Sequence, residues 1–272
     1  GIFDAKPSTQ RRRAIIISPM KDCRPFSFLA VLGAAFLLLA PWVAARDPNQ
    51  SKEQSGEYIV VAGGPALSRW ETMRDDVEPH DKYWYNFVRK GKFRIKELME
   101  QRGRGITVTM LVFRPAYQSR QEEEGRPLIQ WVESIRDDYF KKLHDFDMNI
   151  VWFDTASELI QYLNQGQDRR KMKIANFEYF GHSNAHAFMF DYSNSVLGAS
   201  TEWLHEDELG KIKRSAFAKD AYCRSFGCHT GQSMSQKWRR ATGVRMWGVV
   251  GKTDYSISNT EAIITPGGYW NY

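Results

Sequence analysis

The chain is poor in cysteine: three residues of 272, and one of them, Cys23, falls in a stretch that reads as an export signal. The other two, Cys223 and Cys228, lie in or beside a single β-rich run. There a rise of ~3.3 Å per residue sets their Cα atoms far beyond the ~7 Å reach of a disulfide. A disulfide-stapled scaffold is excluded, and an exported protein that keeps unpaired thiols points to chemistry at one of them. Concentrated positive charge is also missing. The first 45 residues hold six basic and two acidic side chains, which leaves 32 basic against 30 acidic for the remainder, a balance of +2. No basic stripe survives there, so a nucleic-acid partner is not expected. Gly63-Gly64-Pro65 has no Lys-Ser/Thr at the required spacing and no third glycine, so it reads as a tight strand exit and not as a phosphate loop. Internal repeats and signs of a second domain are lacking too.

The N-terminal part has the order of a secretory signal. Met20 is the first plausible start. Lys21 and Arg24 precede an apolar run from Phe26 to Ala40, and Val43-Ala44-Ala45 supplies small residues for cleavage after Ala45. Residues 1–19 read as lying upstream of the natural start. The same run, from Pro25 to Ala45, is long enough to span a bilayer of ~20 residues as an uncleaved anchor, so a membrane is a partner only if this segment is retained. The expected organisation is an upstream extension plus signal at 1–45, a polar linker at 46–56 and one domain at 57–272. The location is exported, periplasmic or extracellular.

Beyond the linker, apolar runs of strand length alternate with segments of helical spacing. Strands are expected at 57–62, 106–113, 148–153, 175–180, 220–227 and 244–250. Helices are expected at 81–102, from Pro127 through Leu143, at 159–163, 203–212 and 232–240. Thr155 and its neighbours offer an N-cap. Gln118–Gly125 is polar and acidic and reads as a solvated loop. Residues 187–200, aromatic and rich in small side chains, read as a hairpin or loop. Alternation of this kind gives an α/β fold: a three-layer sandwich, a mostly parallel sheet flanked by helices.

Two of the strands carry the functional signal. The run ending Phe180-Gly181-His182-Ser183 and the run ending Phe226-Gly227-Cys228-His229-Thr230-Gly231 each break at a glycine and place a reactive side chain just past the break. Adjacent parallel strands would bring both to the sheet edge where open α/β sheets form their ligand crevice. A thiol beside an imidazole is a candidate nucleophile and base, because thiolate is the attacking species and imidazole accepts its proton near neutral pH. A helix soon after Cys228 would favour the thiolate further. Cys223, mid-strand among apolar neighbours, reads as core.

Gly227-Cys228-His229-Thr230-Gly231 resembles the nucleophile turn, and Phe180-Gly181-His182 the histidine turn, of the caspase-like cysteine peptidases: the caspases, legumain, gingipains, clostripain and separase. The resemblance covers Asn149 to Gly251 and implies a caspase-like fold and a secreted cysteine endopeptidase. Cys228 and His182 would act as a dyad on a polypeptide substrate through a thioester, with no cofactor and no metal. It also implies an oxyanion hole from the backbone N–H groups of Cys228 and Ser183. The family places Gly directly after the histidine, where this chain has Ser183. Asp254 and Asp191 are candidates for meeting a basic substrate side chain, as an acid does in the arginine-specific relatives, although a surface acid is the plainer reading of both. The short segment from Cys228 to Val244 leaves no room for a cleavable linker, so a single uncut chain is expected.

Other readings remain open. A catalytically inactive caspase-like binding module would carry the same fold. His182 and His186, with His229 and His205-Glu206, suggest a metal cluster, but that spacing shares a face only on a helix. Cys223 to His229 has the elements of covalent haem attachment, with four residues between the thiols where two are normal.

Overall fold

A computed structural model describes residues 56–73, 83–256 and 262–272. The proposed signal, nearly all of the linker, Cys23 and the first two residues of the 81–102 helix lie outside the described residues. Every described residue falls within one compact unit, Pro48–Tyr272.

The centre of the fold is β1 (Gly56–Ala62), every residue of which except Gly56 is buried. A run of this kind, Glu-Tyr-Ile-Val-Val-Ala, has no polar face to offer water and is stable only with both faces covered. The single turn α1 (Ser68–Glu71) follows, then α2 (Asn86–Arg102) and β2 (Thr107–Phe113). Next come α3 (Arg114–Glu124) and α4 (Leu128–Ser134), which continues as a π-helical stretch, Ile135–Leu143. β3 (Asn149–Phe153), α5 (Ala156–Gln165) and β4 (Lys173–Phe180) complete the first half. Thr155 accepts the N–H of Glu158 as the N-cap of α5.

Three short strands, β5 (His182–Ser183), β6 (Ala187–Met189) and β7 (Trp203–His205), then form an antiparallel sheet of their own. Two 3₁₀ turns, Glu206–Lys211 and Arg214–Ala216, lead to β8 (Phe217–Ser225). After α6 (Ser233–Thr242) come β9 (Met246–Val250), the pair β10 (Thr253–Asp254) and β11 (Ile263–Ile264), and β12 (Tyr269–Asn271).

The main sheet has seven strands in the order β3-β2-β1-β4-β8-β9-β12, all parallel except β12. One apolar layer lies between the sheet and α5 and α6, with Phe177, Leu159, Leu163 and Trp238 at its centre. The other lies under α2 and α4, with Val60, Met110, Ile95, Leu98, Val132 and Phe140. The result is a three-layer α/β sandwich. Each face also holds one wholly buried carboxylate. Glu57, on the α5 side, accepts from Arg169, Thr109 and Tyr162 at 2.6–2.7 Å. Glu178, on the α2 side, accepts from Arg94 Nε at 2.8 and 3.0 Å and from Arg224 at 3.3 Å.

Two expectations about elements are corrected. Gln118–Gly125 belongs to α3 and is not a loop: Pro115 opens that helix, Gly125 closes it at φ +64°, and only Ala116, Tyr117 and Arg120 are buried. So narrow a stripe leaves the rest of the helix polar, and the polar composition hid it. The segment 203–212 is not one helix, because Leu204 pairs with Phe188 as a strand before the 3₁₀ turn begins. The helix expected at 232–240 is α6, which starts at Ser233, five residues past Cys228. Among the described residues no helix is long and apolar enough to cross a membrane.

The chain works outward from β1 to β3 and then returns to the other side of β1 with β4, β8 and β9. The carboxyl ends of β1 and β4 therefore flank the point where strand order reverses, the usual place for a ligand crevice in open sheets. Gly63 closes against it, its N–H bonding Phe180 O at 2.8 Å.

Candidate functional site

β4 and β8 are parallel neighbours, with Phe177 opposite Cys223 and Tyr179 opposite Ser225. They end at the same sheet edge, so the segment Gly181-His182-Ser183 and the turn Gly227-Cys228-His229 leave the sheet side by side. One more ladder bond, Phe226 N–H to Tyr179 O at 2.8 Å, carries the pairing past the strand end. Tyr255 then spans both exits: its hydroxyl accepts the N–H of Gly181 at 3.3 Å and donates to Phe226 O at 2.7 Å. Gly181 is required where it stands, because Tyr179 curls beneath it to donate to His182 O (2.7 Å) and Met189 O (2.9 Å), and a Cβ would collide with that phenol.

The Cys228 turn is held from several directions. Ser183 Oγ donates to Cys228 O at 2.7 Å, and His229 N–H donates to Gly251 O at 2.8 Å. The peptide between Cys228 and His229 is thus fixed at both its oxygen and its nitrogen. His229 has φ +64°, a left-handed conformation that costs a non-glycine residue about 1–2 kcal/mol. Strain of this sort persists only where surrounding contacts impose it. The flanking glycines answer to space: a Cβ on Gly227 would overlap Ser183 Oγ, and one on Gly231 would overlap Gly248 O.

The sulfur of Cys228 faces the N–H of Thr253 at 3.4 Å. Burial raises the thiol above the ordinary cysteine value, while the amides of Thr253 and of Cys228 itself pull the other way. The expected help from the helix is not there. The first amides of α6 are used elsewhere, Met234 N–H by Ala185 O at 2.8 Å and Ser235 N–H by Thr230 O at 3.0 Å. A partly buried acid, Glu206, also sits at Ser233. Burial works against its ionisation, yet hydrogen bonds from Ser233 and His186 hold it below the usual carboxylate range. The positive end of α6 is therefore spent on Glu206 and on backbone carbonyls.

His182 is 6% exposed. Its ring meets Phe87 edge to face at 4.8 Å and lies 4.3 Å from Tyr192. Phe87 also stands against Tyr255 at 4.8 Å, and Arg89, in the first turn of α2, donates to Tyr255 O and Ser256 O at 3.2 and 3.3 Å. The start of α2 and the segment 253–256 thereby form one wall beside the histidine. Asn184 N–H bonds Ala187 O, which makes Ser183 and Phe188, the next pair of the hairpin, a non-hydrogen-bonded pair. Ser183's amide consequently points out of the hairpin. No family model, no curated protein and no solved structure matches the chain.

The two acids proposed for substrate contact are differently placed. Asp191 is wholly buried and is not a surface acid. It accepts from the N–H and hydroxyl of Ser193, the hydroxyl of Ser200 (3.1 Å), and the N–H and hydroxyl of Thr201 (both 2.6 Å). Five donors from its own loop make it the organiser of residues 191–201. A substrate role for it is withdrawn, since its carboxylate already has loop donors on both oxygens. Asp254 is half-buried on β10 and accepts Ser256 N–H at 2.7 Å. It lies within electrostatic reach of Lys90, a buried lysine that burial and Arg89 push down to about 8 against the pull of Asp254.

The remaining histidines do not converge. His186 pairs with Glu206 at 3.3 Å, and His205 accepts Asp207 N–H at 3.3 Å. Among the described residues no three His, Cys, Asp or Glu side chains meet at one point. Cys223 is a free thiol in the core beneath α6, in the same apolar layer as Trp238, so the thiol pair needed for haem attachment does not face a common site. Thr253, Tyr255, Gly251, Tyr179, Phe87 and Tyr192 were not anticipated. One sequence signal could have led to the first three: β1, β4, β8 and β9 each run into a glycine at the same rim (Gly63, Gly181, Gly227, Gly251).

Proposed function

We propose that this chain is an exported cysteine endopeptidase of the caspase-like type, with Cys228 as nucleophile and His182 as its acid and base. The observation that carries the reading is the 2.7 Å bond from Ser183 to Cys228 O: the residue after the histidine touches the nucleophile's own peptide. The sheet order and the reversal point beside β4 add support from topology.

In this mechanism the Cys228 sulfur attacks the substrate's peptide carbonyl as its proton passes to a ring nitrogen of His182. The oxyanion is received by the N–H groups of Cys228 and Ser183, the second of which points out of its hairpin. Imidazolium then returns the proton to the departing amine, leaving a thioester on Cys228. Water, deprotonated by His182, releases the acid. Because burial keeps the resting thiol protonated, the proton moves within the attack step and no standing thiolate–imidazolium pair is required.

A second reading, an inactive module that binds polypeptide, is favoured by that same raised thiol and by the packing of His182 between Phe87 and Tyr192. The two separate on one measurement. A peptide carrying an electrophilic ketone at its cleavage position should attach to Cys228 at neutral pH, located by peptide mass mapping. His182→Ala should slow attachment about 100-fold or more, the usual worth of a positioned general base. Equal attachment in wild type and His182→Ala would remove the dyad. No attachment in either would leave the binding module.

A further inference from the structure

We propose that Ser183 is a positioning residue, a strap whose hydroxyl fixes the Cys228–His229 peptide and which only Gly227 leaves room for. The inference rests on Cys228 being the nucleophile, but its physical content is independent of turnover. A serine directly after the histidine departs from the resembled family. Here its hydroxyl points into the neighbouring turn, donating to Cys228 O at 2.7 Å. The nitrogen of the same peptide is held by Gly251 O at 2.8 Å, and the sulfur faces Thr253 N–H at 3.4 Å.

With both ends of the peptide held, the left-handed His229 is sustained and the thiol keeps its place against Thr253. A Cβ at Gly227 would overlap both Oγ and Cβ of Ser183 and press on Thr230 Cγ2 at 3.2 Å. The two positions therefore form one device. A side chain at 183 requires none at 227, and a glycine at 183 would release that constraint. The titratable groups that face the thiol belong to other elements, the phenols of Tyr179 and Tyr255, which burial keeps neutral.

The test is a double-mutant cycle on the full chain with two readouts, thermal midpoint and the pH profile of iodoacetamide modification at Cys228. Gly227→Ala should lower the midpoint by several degrees, and adding Ser183→Gly should recover most of that loss, a coupling that independent sites do not show. Ser183→Ala, which folds without a clash, should move the alkylation profile to higher pH, because the thiol loses its aim at the Thr253 and Cys228 amides. A shift of about half a pH unit corresponds to a roughly threefold lower rate on the acid side. Losses that simply add, or a Ser183→Ala profile that overlays the wild type, overturn the strap. Should Gly227→Ala fail to fold, recovery of folding in Gly227→Ala/Ser183→Gly stands in for the midpoint, and persistent misfolding counts against it. Coupling without attachment of the peptide ketone keeps the strap and removes the peptidase. Attachment with additive losses does the reverse.

Discussion

Cys223 and Cys228 are five residues apart and chemically identical, yet the fold treats them as different kinds of residue. Cys223 lies inside β8 on the face that α6 covers, wholly buried in the same apolar layer as Trp238. Cys228 stands one residue past Gly227, half-buried at the rim, with a backbone amide in front of its sulfur. Burial raises the thiol pKa in both cases. What separates them is where the strand stops: Cys223 points from the strand into the layer under α6, while Cys228 stands beyond the last ladder bond, half-buried at the rim. Reactivity here is a property of position.

The largest expected effect follows directly. Modifying Cys223 requires the sheet to open, at a cost approaching the global stability of ~5 kcal/mol or more, so its alkylation should be about 10³-fold or more slower than that of Cys228. Iodoacetamide time courses with peptide mapping measure both thiols at once, and denaturant should abolish the contrast. The Cys228 rate should climb with pH through a midpoint above the ~8.5 of a free cysteine, because the protonated form is the one burial favours and only thiolate reacts. A Cys228 midpoint below 7, or equal rates at the two thiols in the native chain, would undo the comparison.

A smaller effect tests the core side alone. Trp238 fills the layer beneath α6, 4.7 Å from Phe177 and 5.8 Å from Phe217 between ring centres. Trp238→Ala should cost ~3–5 kcal/mol by loss of apolar contact and the cavity left behind. In urea titrations that loss should appear as a lower midpoint. Cys223 labelling should accelerate in proportion while native-state Cys228 labelling stays within about twofold, since distant sites without shared partners act independently. Acceleration at both thiols would mean that rim and core do not open separately.

How far the sequence reveals this contrast differs between its two halves. The strands were legible because continuous apolar runs such as Tyr58–Ala62 and Phe177–Phe180 have nowhere to go but a doubly covered sheet. The glycines that end those runs marked the histidine and cysteine exits, while the adjacency of the two strands was a condition that the sheet order supplies. The rim itself was not legible. β5, β6 and β7 are two or three residues long, too short for any period to register. The work of Tyr255, Thr253 and Gly251 is carried by single hydrogen bonds over separations of 22 to 74 residues, which no local pattern encodes. Asp191 looked like a surface acid because composition does not show that Ser193, Ser200 and Thr201 fold back onto it. The apparent helix dipole at Cys228 was lost to the four residues of turn, 229–232, that place α6 against Glu206 instead.

The least of the expected effects concerns the backbone at the rim. Cys223 sits in relaxed strand, whereas Cys228 is followed by His229 at φ +64°. His229→Gly removes the Cβ that makes this conformation costly. The gain is offset in part by the added freedom of a glycine in the unfolded chain. The net change should be a stabilisation of about 0.5–1 kcal/mol, roughly 1–4 °C in thermal midpoint for a domain of this size. The bond that fixes the turn, His229 N–H to Gly251 O, belongs to the backbone and survives the substitution, so Cys228 alkylation should keep its wild-type rate and pH profile. A destabilised variant would show that the left-handed residue is not strained. An unchanged midpoint with slower alkylation would show that the imidazole of His229 acts on the thiol.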